Sequence, residues 1–334
     1  MIGLVVVLAV ALALNTVATR NQSKSAGVTV EGGEILRLQG GQIQVLDQGP
    51  EAQGRASRGG AEPRTFVLIH GFAASLAWWD RLAPILAREH RVIRIDLLGH
   101  GGSSKPTSGY EIEGQADLVA EALNRLNVEA AVIVGHSMGA AVAVSLAERF
   151  SQLADRVVHI DLATGNDRSE LPFLAELTYA PVIGESLWRV SPDFAVRDSY
   201  EPAFAPGFEL EAGFDDPDQV VEDQGAMTYS AYEGAHEGLE DFRDEAPLDA
   251  RMRTAAVPLL AIFGEEEQII DDPQAAAEEF SDVPGARTTI LPGAGHSPNV
   301  ELPRQTARLI LEFALDGGDE AGLPRRVGLK RKRR

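Results

Sequence analysis

The chain has 334 residues and no cysteine, which excludes disulfide frameworks, zinc-thiolate and iron–sulfur sites, and a cysteine nucleophile. Hydrophobic residues make up 44% of it, enough to bury a sizeable core. The formal net charge of −20 works against nucleic acid as a partner, so the open classes are enzymes or binding domains for small molecules.

Residues 1–19 carry no charged side chain, and IGLVVVLAVALAL has no amphipathic pattern. As a helix they would span roughly 28 Å, close to the hydrocarbon thickness of a bilayer. They read as a membrane-spanning N-terminal helix, and the flanking Arg20 and Lys24 place the body on the cytoplasmic side by the positive-inside bias. A cleaved signal peptide, giving a secreted body, is the alternative. It lacks a basic start, and its ALA at 11–13 is poorly placed for cleavage.

Ile35–Leu38 and Gln42–Leu46 flank Gly40-Gly41 and predict a hairpin. Residues 50–64 are rich in turn formers and predict an exposed loop. From there short β-branched runs alternate with helical patterns. Strands are expected at 65–70, 91–96, 130–136, 156–161, 257–263 and 286–292, and helices at 76–89, 113–127, 138–149, 272–281 and 301–316. This alternation predicts an α/β fold with a mostly parallel, doubly wound sheet. Residues 167–246 break the rhythm: they lack a clear strand, are acidic, and hold 11 of the chain's aromatic residues. They predict a helical lid inserted into a core of residues 30–166 and 247–317, with most rings serving its own packing and a few facing a pocket. Residues 318–334 form a basic tail in which seven of the last ten side chains are Lys or Arg. It reads as a solvated, disordered end or as a contact for anionic lipid, worth about 1 kcal/mol per basic residue near a surface.

The strongest chemical signal is Gly135-His136-Ser137-Met138-Gly139, a G-x-S-x-G that ends a strand and opens a helix. Such a turn lifts a serine hydroxyl clear of the sheet, and the glycines let strand and helix approach closely. A serine hydroxyl is a poor nucleophile at neutral pH and needs a base. Among the histidines, His90 is expected on the surface, His159 in a strand, His236 in the lid segment and His136 beside the nucleophile. His296 lies in the glycine-rich GAGHSPN after the last strand, at the sheet edge that carries the serine turn, and is the candidate base. Glu265, Glu266, Glu267, Asp271 and Asp272 follow the strand VPLLAIF, and most of these carboxylates are expected to be solvated; Glu267, Asp271 or Asp272, or Asp161 at the end of RVVHID, is the candidate for the acid that orients the base. Backbone N–H groups in His70-Gly71-Phe72, with that of Met138, are placed to bind a developing oxyanion. His70, Gly71, Trp78 and His136 are read as walls of the substrate pocket. The glycine turn Asp96–Ser103 lacks the Lys-Ser/Thr ending of a phosphate loop and reads as structural. No spacing of ligand-type residues predicts a metal, and no cofactor is expected.

With these motifs in this order the chain resembles the α/β-hydrolase fold superfamily from about residue 35 to 316. The resemblance rests on HGF at 70–72, the D-x-x-G-x-G-x-S run at 96–103, GHSMG at 135–139, the acid loop at 264–267 and GAGHSPN at 293–299. It implies Ser137 as nucleophile, His296 as base, Glu267 as acid, and the Phe72 and Met138 amides as the oxyanion hole. Glu267 stands where the family usually has Asp, and its longer stem requires a different loop path. A serine nucleophile sets the chain apart from the haloalkane dehalogenases and epoxide hydrolases of this fold. The leading function is a serine hydrolase that cleaves a carboxylic ester of a small, largely apolar substrate through an acyl-enzyme. The alternatives are a cofactor-free perhydrolase or haloperoxidase-like enzyme, a carbon–carbon bond hydrolase, and a ligand sensor without turnover.

Overall fold

Side chains along a strand alternate between the two faces of its sheet, and here the alternation sorts the core into two layers. Phe66 and Leu68 join Trp79, Leu82, Leu86, Ile310 and Phe313 in one cluster. Their neighbours Val67 and Ile69 join Leu123, Ile133, Val142 and Phe280 in the other. The computed structural model describes residues 10, 23–50, 63–165, 178–179 and 184–316. Its strands are β1 (Glu34–Leu38), β2 (Gly41–Gln48), β3 (Thr65–Ile69), β4 (Arg91–Ile95), β5 (Ala131–His136), β6 (Ala154–Ile160), β7 (Leu259–Gly264) and β8 (Arg287–Leu291). They form one sheet in the order β1-β2-β4-β3-β5-β6-β7-β8. The pairs β1–β2 and β2–β4 are antiparallel and the rest are parallel. Helices α1 (Ile112–Arg125) and α2 (Met138–Arg149) bury their apolar residues in one layer. The sheet's other layer is closed by the C-terminal helix Pro303–Leu315.

Between β6 and β7 the chain forms α3 (Gly184–Arg189), α4 (Asp193–Tyr200), α5 (Gln219–Ala226), α6 (Tyr229–Glu245) and α7 (Leu248–Ala255). Two contacts lock these helices to the sheet's loops. The Tyr200 hydroxyl donates to the Ala73 carbonyl at 2.6 Å, and Trp78 Nε1 donates to Asp223 Oδ2 at 2.8 Å. After β7 come α8 (Pro273–Ser281) and α9 (Pro303–Leu315).

Several expectations need correction. The helix expected at 76–89 is two short turns, Leu76–Trp79 and Ala83–Leu86, because Pro84 lacks an N–H and suits a helix start, not its interior. Their register separates the adjacent tryptophans: Trp78 packs in the layer under α4 and α5, Trp79 in the opposite one. His90 is buried, with its ring 5.3 Å from that of Phe66. The expectation of a membrane-spanning helix is overturned: among the described residues no helix is long and apolar enough to cross a membrane. The longest, α6, has 17 residues and alternates glutamates with its apolar positions. The N-terminal run lies outside the described residues apart from Val10, as do residues 318–334 and most of the expected loop at 50–64.

Asp223 on α5 is buried, with its carboxyl held by Trp78 Nε1 and by Gln219 Nε2 at 2.9 Å. Burial pushes its pKa up to about 7, against hydrogen bonds from Ser75, Trp78 and Gln219 that favour the charged form. The unfolded value is about 3.9, so between pH 4 and 7 the folded state binds the additional proton. Stability from this group therefore falls as pH rises through that window and does not return above it. Asp223→Asn keeps an acceptor for Trp78 and removes the titration. In thermal melts, its Tm relative to wild type is expected to climb between pH 5 and pH 8. A constant difference across that range would count against a buried titrating Asp223.

Candidate active site

Ser137 joins β5 to α2 with φ 49° and ψ −123°, a left-handed-side conformation that non-glycine residues avoid. Both of its backbone groups are held: its N–H donates to the Ile160 carbonyl at 2.8 Å, and its carbonyl accepts from Ala140 at 2.7 Å. These bonds over-determine the strained turn. Gly139 makes the close approach possible, since a Cβ there would lie 2.3 Å from the Ile69 carbonyl oxygen.

The loop after β8 carries His296. Glu301 ties this loop down: its carboxylate accepts from the N–H groups of Gly295 (3.0 Å), Ser297 (3.0 Å) and Ala205 (2.8 Å). His136 helps from below. Its buried imidazole has a pKa lowered to about 3, chiefly by desolvation, so it is neutral, and Nε2–H donates to the His296 carbonyl at 2.8 Å. At the end of neighbouring β7 a Cβ on Gly264 would lie 2.0 Å from the Gly295 carbonyl oxygen. Only glycine lets the loops after β7 and β8 come this close.

That approach brings Glu267 onto His296, with Oε2 2.6 Å from Nδ1. Oε1 of the same carboxylate accepts from the N–H groups of Gln268 (2.8 Å) and Ile269 (2.6 Å). The Glu267 side chain is fully buried. Burial alone would raise its pKa, but His296 and these N–H groups outweigh it, and the carboxyl sits below its usual range. The structure does not bring the other acids to the imidazole in this way. Asp272 caps α8, accepting from Ala275 N–H at 2.9 Å, and both it and Asp271 are exposed. Glu265 and Glu266 are exposed. Asp161, at the end of β6, accepts from Gly264 N–H at 2.9 Å.

Phe72 and Met138 both border the serine turn, Met138 as the first residue of α2, where helical N–H groups lack internal partners. No acceptor among the described residues takes either N–H. His70, expected in the pocket wall, is instead fully buried beneath it. Its Nε2 accepts from Leu97 N–H at 3.0 Å, so Nδ1 carries the proton and donates to the Gly71 carbonyl at 2.7 Å. A trans peptide holds C=O and N–H antiparallel, so this bond fixes the direction of the Phe72 N–H.

Ser137, His296, Gly71, Phe72, Trp78 and His136 line one cavity of about 390 Å³. Its remaining walls come mainly from the helices between β6 and β7 and from the loop after β7: Tyr200, Tyr232, His236, Leu239, Ile269 and Ile270 among them. Ser137 and His296 face this space without a direct hydrogen bond among the described residues. Donor atoms of Asp161, Glu267 and His296 lie within 4.8 Å of one another, a set of metal-ligand type. The 2.6 Å contact argues for a shared proton, because two ligands at about 2.1 Å from a tetrahedral ion stand about 3.4 Å apart. Glu301, the half-buried carboxylate that organises the His296 loop, was not a sequence candidate. Its only signal is position, at the end of the turn that Ser297-Pro298 begins.

Residues 64–303 match the family model of the alpha/beta hydrolase fold. The chain is 27% identical over 267 residues to an uncharacterised protein of Mycobacterium tuberculosis, covering 78% of this chain and 77% of that one. It is 28% identical over 252 residues to a 2-(acetamidomethylene)succinate hydrolase of Mesorhizobium japonicum, covering 74% and 86%. Among solved structures, the enol-lactonase from Burkholderia xenovorans superposes with a TM-score of 0.64 at 22% identity, over 84% of this chain and 99% of that one. Homologues and fold neighbours of this kind are hydrolases. The family match, spanning most of the sheet and both loops that meet at His296, shows that the chain belongs to the α/β-hydrolase fold family.

Proposed function

We propose that the chain is a serine hydrolase that cleaves a carboxylic ester of a small, largely apolar substrate through an acyl-enzyme. The observation that carries this reading is the 2.6 Å bond between Glu267 and His296 in a cavity wall that also holds Ser137. Glu267 accepts from Nδ1, which leaves His296 Nε2 unprotonated and able to take a proton. In the proposed cycle Ser137 Oγ attacks the ester carbonyl while His296 takes its proton. The Phe72 and Met138 N–H groups stabilise the oxyanion that appears only in the transition state. His296 then protonates the departing alcohol, and a water activated by the same imidazole releases the acid. In this reading the Ser137–His296 hydrogen bond forms as substrate binds.

The helices between β6 and β7 are read as a lid. They supply Tyr200, Tyr232 and Leu239 to the cavity, an apolar surface suited to an acyl or aromatic group. The cavity volume suits a small ester. A cyclic ester falls within the same chemistry, and similarity to an enol-lactonase supports including it.

Ser137→Ala is expected to cut turnover of a short-chain nitrophenyl ester by about 10³-fold or more while Tm stays near wild type. Retained turnover would remove the nucleophile. Glu267→Gln should lower kcat by about 10²–10⁴-fold with KM little changed, because the imidazole loses its charge partner and correct tautomer. Asp272→Asn, in the cap of α8, serves as the control. Near-normal kcat in Glu267→Gln would take the acid away from this loop.

A further inference from the structure

Asp161 lies beside the Glu267–His296 pair, and the role described so far uses only half of it. It ends β6 with φ 46° and is fully buried. Oδ1 accepts from Gly264 N–H, but Oδ2 has no hydrogen-bond donor among the described residues. A donor atom from each of Asp161, Glu267 and His296 falls within 4.8 Å of the others. Two ionised carboxylates so placed would share a single imidazole, with the Oδ2 lone pairs desolvated and unanswered.

Glu267 has the complementary vacancy. A carboxylate offers about four lone-pair positions. Gln268 N–H, Ile269 N–H and His296 Nδ1–H occupy three. One remains, and Asp161 offers an oxygen within 4.8 Å of the pair.

We propose that Asp161 is held as a neutral carboxylic acid, protonated at Oδ2, and donates a hydrogen bond to Glu267 that positions the carboxylate beneath His296. The proposal rests on the reading of Ser137, His296 and Glu267 as a catalytic unit. Asp161 touches neither substrate nor the reacting atoms, so it is a positioning residue. Burial first, and then the charge of Glu267, raise the Asp161 carboxyl well above its ordinary range, whereas Glu267 moves the other way. One proton thus serves two carboxyls and resides on Asp161. The other titratable groups facing the pair are Glu301 from the turn after β8, His136 at the end of β5 and His159 on β6. Both histidines are kept neutral by burial, so neither supplies a cation to Asp161.

The test compares the full chain with its Asp161→Asn and Asp161→Ala variants. Asparagine retains both bonds, its Oδ1 accepting from Gly264 and its Nδ2 donating to Glu267, and it carries the charge of a protonated acid. Asp161→Ala is expected to lower kcat about tenfold with KM unchanged, and Asp161→Asn to recover most of that loss. The acid limb of the kcat/KM profile should stay in place in Asp161→Asn. A difference infrared spectrum of wild type against Asp161→Asn at neutral pH should contain one protonated-carboxyl stretch. The proposal is overturned by a downward move of the acid limb of about one pH unit or more, the signature of removing a negative neighbour of His296. It is overturned equally by a difference spectrum without that stretch. The spectrum needs no turnover, so it decides the proton on Asp161 even if Ser137→Ala were to show that the catalytic reading fails.

Discussion

A carboxylate and an imidazole 2.6 Å apart, both cut off from water, impose conditions on everything around them. Desolvating Glu267 costs several kcal/mol unless its lone pairs are answered, and here the backbone answers them. Gln268 and Ile269 turn their N–H groups inward, which fixes the path of the loop after β7. The loop after β8 must then arrive at the same point, and Glu301 holds it there through the N–H groups of Gly295 and Ser297 while tying it to Ala205 N–H between β6 and β7. A side chain at the end of β7 could not meet this loop so closely, hence glycine at position 264, while glycine at 295 lets the same loop pass against the Phe204–Ala205 backbone. The parallel sheet provides the frame, since it delivers the ends of β5, β6, β7 and β8 side by side at one edge.

A second constraint comes from the helices between β6 and β7. They are joined to the sheet's loops by polar contacts: the buried bonds of Tyr200 to Ala73 and Trp78 to Asp223, and the half-buried bond of Gln268 Nε2 to the Phe204 carbonyl at 2.7 Å. The last of these couples the acid loop to the same helices that build the cavity wall. Apolar packing would hold the helices equally well, but hydrogen bonds fix their register and so the shape of the cavity.

Much of this architecture was legible because it follows short-range rules. Strands announced themselves by β-branched runs, and Ser137 by glycines that only a tight strand-to-helix turn requires. His296 could be singled out among the histidines by its place in the last loop. Pairing of distant groups was not legible. Glu265, Glu266 and Glu267 are adjacent and chemically alike, so spacing alone does not separate them; the resemblance pointed to the third, and the fold turns it inward while the others stay exposed. Trp78 and Trp79 are adjacent in sequence and chemically identical, yet one residue of register sends them to opposite layers. His70 looked like a pocket residue from its motif; its tautomer and its hold on the Gly71 carbonyl depend on Leu97, which is distant in sequence.

The central claim is that His296, backed by Glu267, turns Ser137 into a nucleophile. It is tested most directly by the rate at which a fluorophosphonate modifies the protein, with the adduct located by peptide mass mapping, in wild type and in His296→Ala. A single adduct on Ser137 is expected, forming rapidly in wild type and at least about a hundredfold more slowly without the imidazole. An adduct on another residue, or equal rates in the two proteins, would contradict it.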